Sequence, residues 1–371
     1  MDIKGSNIKH LYTLWPIKSE QERCATSNAQ PICRSPPRTL AFHMRFTPLA
    51  LLLTACPAKQ TTPRSGTDTA SVSSSPDTAT TGDTAGSAGD SAGETGGPHP
   101  GEPCETWGAP EVVGQVSDPS LTEISGLAVS RDNPGVLWVL EDSGASAVLT
   151  AINTTGDTLG TLTFEGVDNQ DWEDLALGPC GDETCLWVGE FGDNGNSRES
   201  VSILWATEPE VPDEPGFSLS VTPDVQAYQY PEGPQDAEAL VVNQNGEPHV
   251  LTKRTDITTR IYRIPLAPGT TSAGVLLGTM STGSISGLPT STTAADLWPD
   301  DSRLIVRGYL YTFEVVLGDS GLDSAPTGES RPINTGLEPQ GEAIAYDPPG
   351  RAIWHVSEGA NPYLWRVPCE S

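Results

Sequence analysis

Carboxylates stand at one recurring place in this chain, where a short apolar run begins. Asp174 precedes Leu175-Ala176-Leu177, Glu238 precedes Ala239-Leu240, Asp296 precedes Leu297, and Glu342 precedes Ala343-Ile344; Glu173 and Asp236 stand beside them. A second set follows the next apolar run of the same units: Glu141-Asp142, Glu190, Asp193 with Asn194, and Glu358. Gathered at one place, such acids repel and raise one another's pKa values unless a cation sits among them. Hard oxygen ligands at flexible spacing favour Ca2+ over a transition metal. The plainer outcome is that the acids cap backbone amides or stay solvated, in a chain with 49 acidic residues. Four cations fall on the same side of the pattern: Lys253, Arg254 and Arg307 after second runs, and Arg198 in the segment Gly192 to Arg198. Beside a bound metal, such cations suit a phosphoryl or carboxylate ligand. Without one, they are salt bridges that relieve the crowded acids.

The elements that must position these residues are written five times. First strands are expected at Ile124-Ser125-Gly126-Leu127-Ala128, Glu173-Asp174-Leu175-Ala176, Ala237-Glu238-Ala239-Leu240, Ala294-Ala295-Asp296-Leu297 and Gly341-Glu342-Ala343-Ile344. Second strands are expected at Leu137 to Leu140, Leu186 to Gly189, His249 to Thr252, Leu304 to Arg307 and Ile353 to Val356. A degenerate strand repeat at roughly 45 to 65 residues signals a radial array of small sheets. The first unit supplies four strands, adding Ala147 to Asn153 and Leu159 to Phe164, whereas the last supplies three. A missing fourth strand leaves an exposed edge, which folded proteins avoid. The segment Pro110 to Val116 has no sheet of its own and fills that place. The expected fold is therefore an all-β propeller of five blades, closed by the N-terminal strand. Six blades is the alternative, because the gaps between Asp174, Glu238 and Asp296 have room for irregular strands. In a four-stranded blade, the start of the innermost strand and the loop between strands two and three share one face, so both acid sets are expected around one channel mouth.

Other chemistry has little support. His249 and His355 are the histidines of residues 104 to 371, both on second strands where alternation implies packing. Metal-protease, nucleophile-elbow, phosphate-loop and EF-hand spacings are missing, and Asp193-Asn194-Gly195-Asn196 lacks the spacing of a calcium loop. Trp138, Trp187, Trp354 and Trp365 fall on strands and read as packing between blades, while Trp172 and Trp298 are expected near the mouth.

Length and charge bound the rest. The chain of 371 residues carries a net charge of −29, and beyond residue 56 it holds 13 basic against 46 acidic residues. That field repels polyanions and draws in cations, which excludes nucleic-acid binding. Of seven cysteines, Cys104 and Cys369 bracket the globular domain, 104–371, and Cys180 and Cys185 flank the hairpin Gly181-Asp182-Glu183-Thr184. Disulfides Cys104–Cys369 and Cys180–Cys185 imply an oxidising compartment, and four buried thiols are the alternative. The first bond would lock the ring where its two ends meet.

Residues 1–43 show neither apolar periodicity nor targeting logic and read as an upstream extension that is not native. Met44-Arg45, the apolar run Phe46 to Leu53, and Leu53-Thr54-Ala55-Cys56 follow. This stretch, 44–56, resembles the signal peptide and lipobox of bacterial lipoproteins. The resemblance implies initiation at Met44, cleavage before Cys56, lipidation of the Cys56 thiol and acylation of the new amine. Pro57 stands where an inner-membrane retention signal often places Asp, so the expectation is a cell envelope protein anchored in the outer membrane through its lipid. Residues 57–103, rich in Thr, Ser, Gly, Ala, Asp and Pro, cannot bury enough apolar surface to order and read as a tether. As a flexible coil this tether spans on the order of 35 to 40 Å. Its Ser and Thr are either a plain spacer or sites of glycosylation.

Two further resemblances concern the domain. Trp298-Pro299-Asp300-Asp301-Ser302-Arg303-Leu304 resembles the strand-turn-strand of TolB-like propellers, with Ser302 in place of the usual turn Gly. The acid placement and Gln340 to Asp347 are similar to phytase-like propellers, whose calcium ions and nearby Lys and Arg hold a phosphate; this similarity is one of fold and placement. The sequence thus leads to a monomeric envelope lipoprotein whose propeller binds a small-molecule ligand or protein partner at an acidic, cation-binding face. The alternative is a calcium-dependent hydrolase of phosphate or lactone esters.

Overall fold

A computed structural model describes residues 103–285, 288–289 and 291–370. The upstream extension, the lipobox with Cys56 and the tether up to residue 102 lie outside the described residues. Strands dominate, and a 3-10 turn at Leu322–Thr327 is the one helical element among the described residues.

Five antiparallel sheets form the blades. Blade 1 runs Ile124–Val129, Val136–Glu141, Val148–Asn153, Thr158–Phe164; blade 2 runs Trp172–Cys180, Glu183–Glu190, Val201–Thr207, Asp224–Gln229. Blade 3 runs Ala237–Val242, Pro248–Thr252, Thr258–Arg263, Val275–Ser281; blade 4 runs Thr292–Leu297, Arg303–Gly308, Tyr311–Val316, Glu329–Ile333. Blade 5 takes Gly341–Tyr346, Ala352–Ser357 and Tyr363–Pro368 from the end of the chain and Glu111–Gln115 from its start. That fourth strand is antiparallel to the third, with Glu111 opposite Arg366 and Gln115 opposite Tyr363. The ring is thus closed by the N-terminal strand.

Closure is also visible in the core. Each blade face is covered by the next blade, so the two inner strands of a blade are buried on both faces, as in Ala237–Val242 and Pro248–Thr252, whereas outer strands such as Thr158–Phe164 and Asp224–Gln229 alternate. Five buried clusters fill the five interfaces. Trp138, Trp172 and Leu204 pack between blades 1 and 2, and Trp187, Tyr228 and Val250 between blades 2 and 3. Leu251, Met280 and Phe313 pack between blades 3 and 4, and Ile305, Ile344 and Val367 between blades 4 and 5. Leu127, Val139, Val356 and Leu364 join blade 5 to blade 1. A polar pin crosses the first interface: Glu208 accepts hydrogen bonds from Asn133 Nδ2 at 3.1 Å and Trp138 Nε1 at 3.0 Å, and from the Ser130 hydroxyl.

Both disulfides are formed, Cys104–Cys369 across the closure and Cys180–Cys185 across the hairpin, with Cα separations of 5.7 and 5.8 Å. The long gaps hold edge covers instead of a sixth blade. Phe217–Val221, between the third and fourth strands of blade 2, adds in parallel to the outer strand of blade 1. Ser272–Ala273, at the same point of blade 3, adds to the outer strand of blade 2. The 3-10 turn, at the same point of blade 4, packs on the outer strand of blade 3. Each excursion shields an edge that would otherwise offer unpaired backbone groups.

Candidate functional site

The innermost strands run side by side around the axis, and every one carries a bulge at its first turn of pairing. In blade 3, Ala237 pairs with Thr252 and Ala239 with Leu251, which leaves Glu238 bulged out of the ladder. The equivalent residues are Ser125, Glu173, Thr293 and Glu342. These five form the rim of the channel. The neutral pair ties neighbouring strands, Ser125 Oγ donating to the Trp172 carbonyl at 3.3 Å and Thr293 Oγ1 to the Gly341 carbonyl at 2.7 Å. The other three positions are glutamates, each at most 4 % exposed.

This register corrects the expected acid ring. Asp174 sits one residue past the rim, fully buried on the axis, and accepts backbone N–H groups from Leu175 and Leu240 at 2.8 and 2.9 Å and Ala295 at 3.4 Å. Asp296 lies three residues deeper than Thr293 and accepts Leu297 and Tyr346 N–H, both at 2.8 Å. Both cap amides of adjacent innermost strands and stand away from the mouth. Trp298, beyond the far end of its strand, is likewise at the opposite face, packed on Trp107 and Tyr346. Trp172 is buried between blades 1 and 2, against Phe164 at 5.9 Å.

The loop acids divide by how far their charge is already spent. Glu141 accepts Thr122 N–H at 2.9 Å. Glu190 pairs with Arg198 at 2.6 Å and accepts Gln170 N–H at 3.0 Å. Asp193 accepts the Ser197 and Arg198 amides at 2.9 and 2.8 Å, a self-contained loop with Asn196 at φ 47°. Glu358 accepts Gln340 Nε2 at 2.6 Å. Among the described residues the Asp142 side chain accepts only the N–H of Ser143, its own neighbour, and Asn169 holds the Glu141 and Asp142 carbonyls at 2.9 and 3.0 Å.

What remains converges on Glu173. One oxygen from each of Asp142, Asp171 and Glu173 lies within 4.8 Å of the other two, and the same holds for Glu173, Asp236 and Glu238. Asp171 directly precedes the first strand of blade 2, and Glu173 stands at the bulge near its start, where their carboxylates meet. The backbone of Gly192 passes directly over them: a Cβ there would stand 1.9 Å from Glu173 Oε1 and 2.6 Å from Asp171 Oδ2. The side chains of Asp171 and Glu173 accept no hydrogen bond from the described residues, although Glu173 is only 3 % exposed. Burial, then the carboxylates of Glu238, Asp142 and Asp171, drives Glu173 far above the usual carboxylate range. Burial and neighbouring acids push Asp171 up to about 6. Glu342, with Oε2 buried and without a hydrogen-bond partner among the described residues, is pushed up to about 9, again by burial first and then by Glu238. A cluster of carboxylate oxygens around Glu173 and Asp171, whose side chains accept no hydrogen bond from the described residues, fits a hard divalent cation.

The basic side chains are paired. Lys253 binds Glu238 and lies 5.3 Å from the centre of the Tyr309 ring. Its pKa is raised: burial alone would lower it, and Glu238 outweighs that. Arg254 is paired with Asp256 at 2.6 Å, and Arg307, buried on the second strand of blade 4, is paired with Glu338, which also meets His355 Nδ1 at 2.8 Å. The four cations therefore relieve acids; none is left as a free anion holder, among the described residues. Asp171 and Tyr309 were not singled out from the sequence. The signal for Asp171 was present in its spacing from Glu173; Tyr309 sits in a turn with no pattern.

No protein-family model matches the chain, and no curated protein matches it. Among solved structures, it is similar to the PQQ-bound aldose sugar dehydrogenase of Streptomyces coelicolor, at 12 % identity over 72 % of this chain and 99 % of that one, with a TM-score of 0.43.

Proposed function

We propose that this chain is a cell-envelope lipoprotein, anchored in the outer membrane through Cys56 and held off it by residues 57–103, whose propeller binds an extracellular ligand or protein partner at its acidic mouth with a divalent cation, Ca2+ by donor type. The observation that carries this reading is Glu173, a buried carboxylate that accepts no hydrogen bond from the described residues, at the meeting point of Asp142, Asp171, Asp236 and Glu238. Burying such charges together costs free energy that a bound cation offsets, and binding it releases the protons they hold. The test is the melting temperature of the full chain with Ca2+ and after chelation. A ligand at 100 times its Kd stabilises by about 2.7 kcal/mol. A saturable upward shift supports the reading, and its absence removes the cation.

A second reading, hydrolysis of phosphate or lactone esters, draws on Glu342. At neutral pH its carboxyl holds a proton beside Lys253, as a general acid must. Against it, every basic side chain expected to hold an anion is paired. Turnover across phosphoester and lactone panels with Ca2+, lost in Glu342→Ala at unchanged melting temperature, would establish the hydrolase. No turnover leaves the binding module.

A further inference from the structure

We propose that the mouth takes one divalent cation and not two, on Asp142, Asp171 and Glu173, and that the ammonium of Lys253 is the resident cation of the second position. This assignment rests on the reading above and names its site. Glu173 belongs to both carboxylate groups, so the geometry offers two cation positions that share one ligand.

Their surroundings differ. Around the second position Glu238 Oε1 holds the Lys253 ammonium, and Asp236 Oδ1 accepts the Asp193 N–H at 3.0 Å. Lys253 is itself fixed against the Tyr309 ring, so this position joins blades 2, 3 and 4 without any added ion. A metal there would have to expel a buried ammonium or sit beside it, and like charges at such distances repel strongly where water is excluded. Around the first position no positive side chain pairs with any of the three carboxylates among the described residues: Arg198 bonds Glu190 and the Gly192 carbonyl at 2.6 and 2.8 Å and acts on Asp171 only through its field, as Lys253, bonded to Glu238, acts on Asp142 and Glu173. The side chains of Asp171 and Glu173 accept no hydrogen bond from the described residues and that of Asp142 accepts one, from the Ser143 N–H; Asp142 and Asp171 are half-buried, and Glu173 is buried. The missing side chain of Gly192 leaves the carboxylates their space. Asp142 comes from the blade 1 loop and the other two from the start of blade 2, so the ion would bind across that interface. Three carboxylates leave coordination positions for carbonyl oxygens and water, which Ca2+ accepts.

Calorimetric titration of CaCl2 into the full chain, with variants checked by circular dichroism, tests this. The expected stoichiometry is one for the wild type and for Lys253→Arg, and two for Lys253→Met. Asp171→Asn should weaken binding by more than about tenfold, whereas Glu238→Gln should leave the affinity within about threefold. Two ions in the wild type, one in a folded Lys253→Met, or loss in Glu238→Gln with retention in Asp171→Asn would overturn the assignment while leaving a cation-binding mouth. If Lys253→Met does not fold, the contrast between Asp171→Asn and Glu238→Gln decides. No saturable heat in the wild type would overturn the underlying reading itself.

Discussion

Removing the closure disulfide should cost far more than removing the hairpin disulfide, and the structure sets the difference. Cys104 and Cys369 are 265 residues apart, Cys180 and Cys185 five. In the chain-entropy account the two crosslinks restrict the unfolded chain by about 5.5 and about 2 kcal/mol, a gap of about 3.5 kcal/mol from loop length alone. Both bonds have similar Cα separations, so native geometry does not favour one over the other. The comparison is between two double variants, Cys104→Ala/Cys369→Ala and Cys180→Ala/Cys185→Ala, with alanine chosen to avoid burying a hydroxyl. Unfolding in urea, followed by tryptophan fluorescence and extrapolated linearly, gives each loss. The closure variant should lose about 3.5 kcal/mol more than the hairpin variant. Equal losses, or a larger loss for the hairpin, would refute the claim that the ends of the ring are held by this bond.

Glu208→Ala should cost about 3 kcal/mol in the same assay, because Trp138 Nε1, Asn133 Nδ2 and the Ser130 hydroxyl lose their acceptor; a loss under about 1 kcal/mol would contradict the pin. Gly192→Ala should keep the circular dichroism spectrum and weaken Ca2+ binding by more than about tenfold, since the added carbon collides with Glu173 and Asp171; unchanged affinity would contradict the cradle. Glu342, held near 9 by burial against an ordinary 4.5, binds its proton more tightly folded than unfolded. Its contribution to stability is therefore complete below pH 4.5 and is lost as pH rises through about 9. The melting temperature of cation-free protein should fall over that window, and Glu342→Gln should flatten the fall; a parallel curve for the variant would contradict the shift.

How much of this was legible in the sequence depends on what each element's neighbours do. The ring closure was readable because Pro110 to Val116 was an apolar strand without a sheet and the last unit lacked one, with Cys104 and Cys369 at the two ends. The rim register was not. Asp296-Leu297 reads like Asp174-Leu175, yet pairing places Thr293 at the rim, since bulges shift strand positions that a degenerate repeat cannot align. The edge covers were illegible for a related reason: Phe217–Val221 and Ser272–Ala273 are short, half-exposed and stabilised by the preceding blade. Arg307 looked like a loop cation. Its strand is buried throughout, so alternation carried no information about where its guanidinium goes. The positions of Asp142, Glu238 and Glu342 depend only on where strands begin and end, which the repeat makes readable.

The central claim is that ring closure gathers acids from separate blades into one cation site at the mouth. Anomalous diffraction from crystals soaked in Tb3+, a stand-in for Ca2+, tests it most directly. The account predicts a strong peak with oxygens of Asp142, Asp171 and Glu173 at about 2.3 to 2.6 Å. A peak between Asp236 and Glu238, or none at the mouth with the acids in their present places, would contradict it.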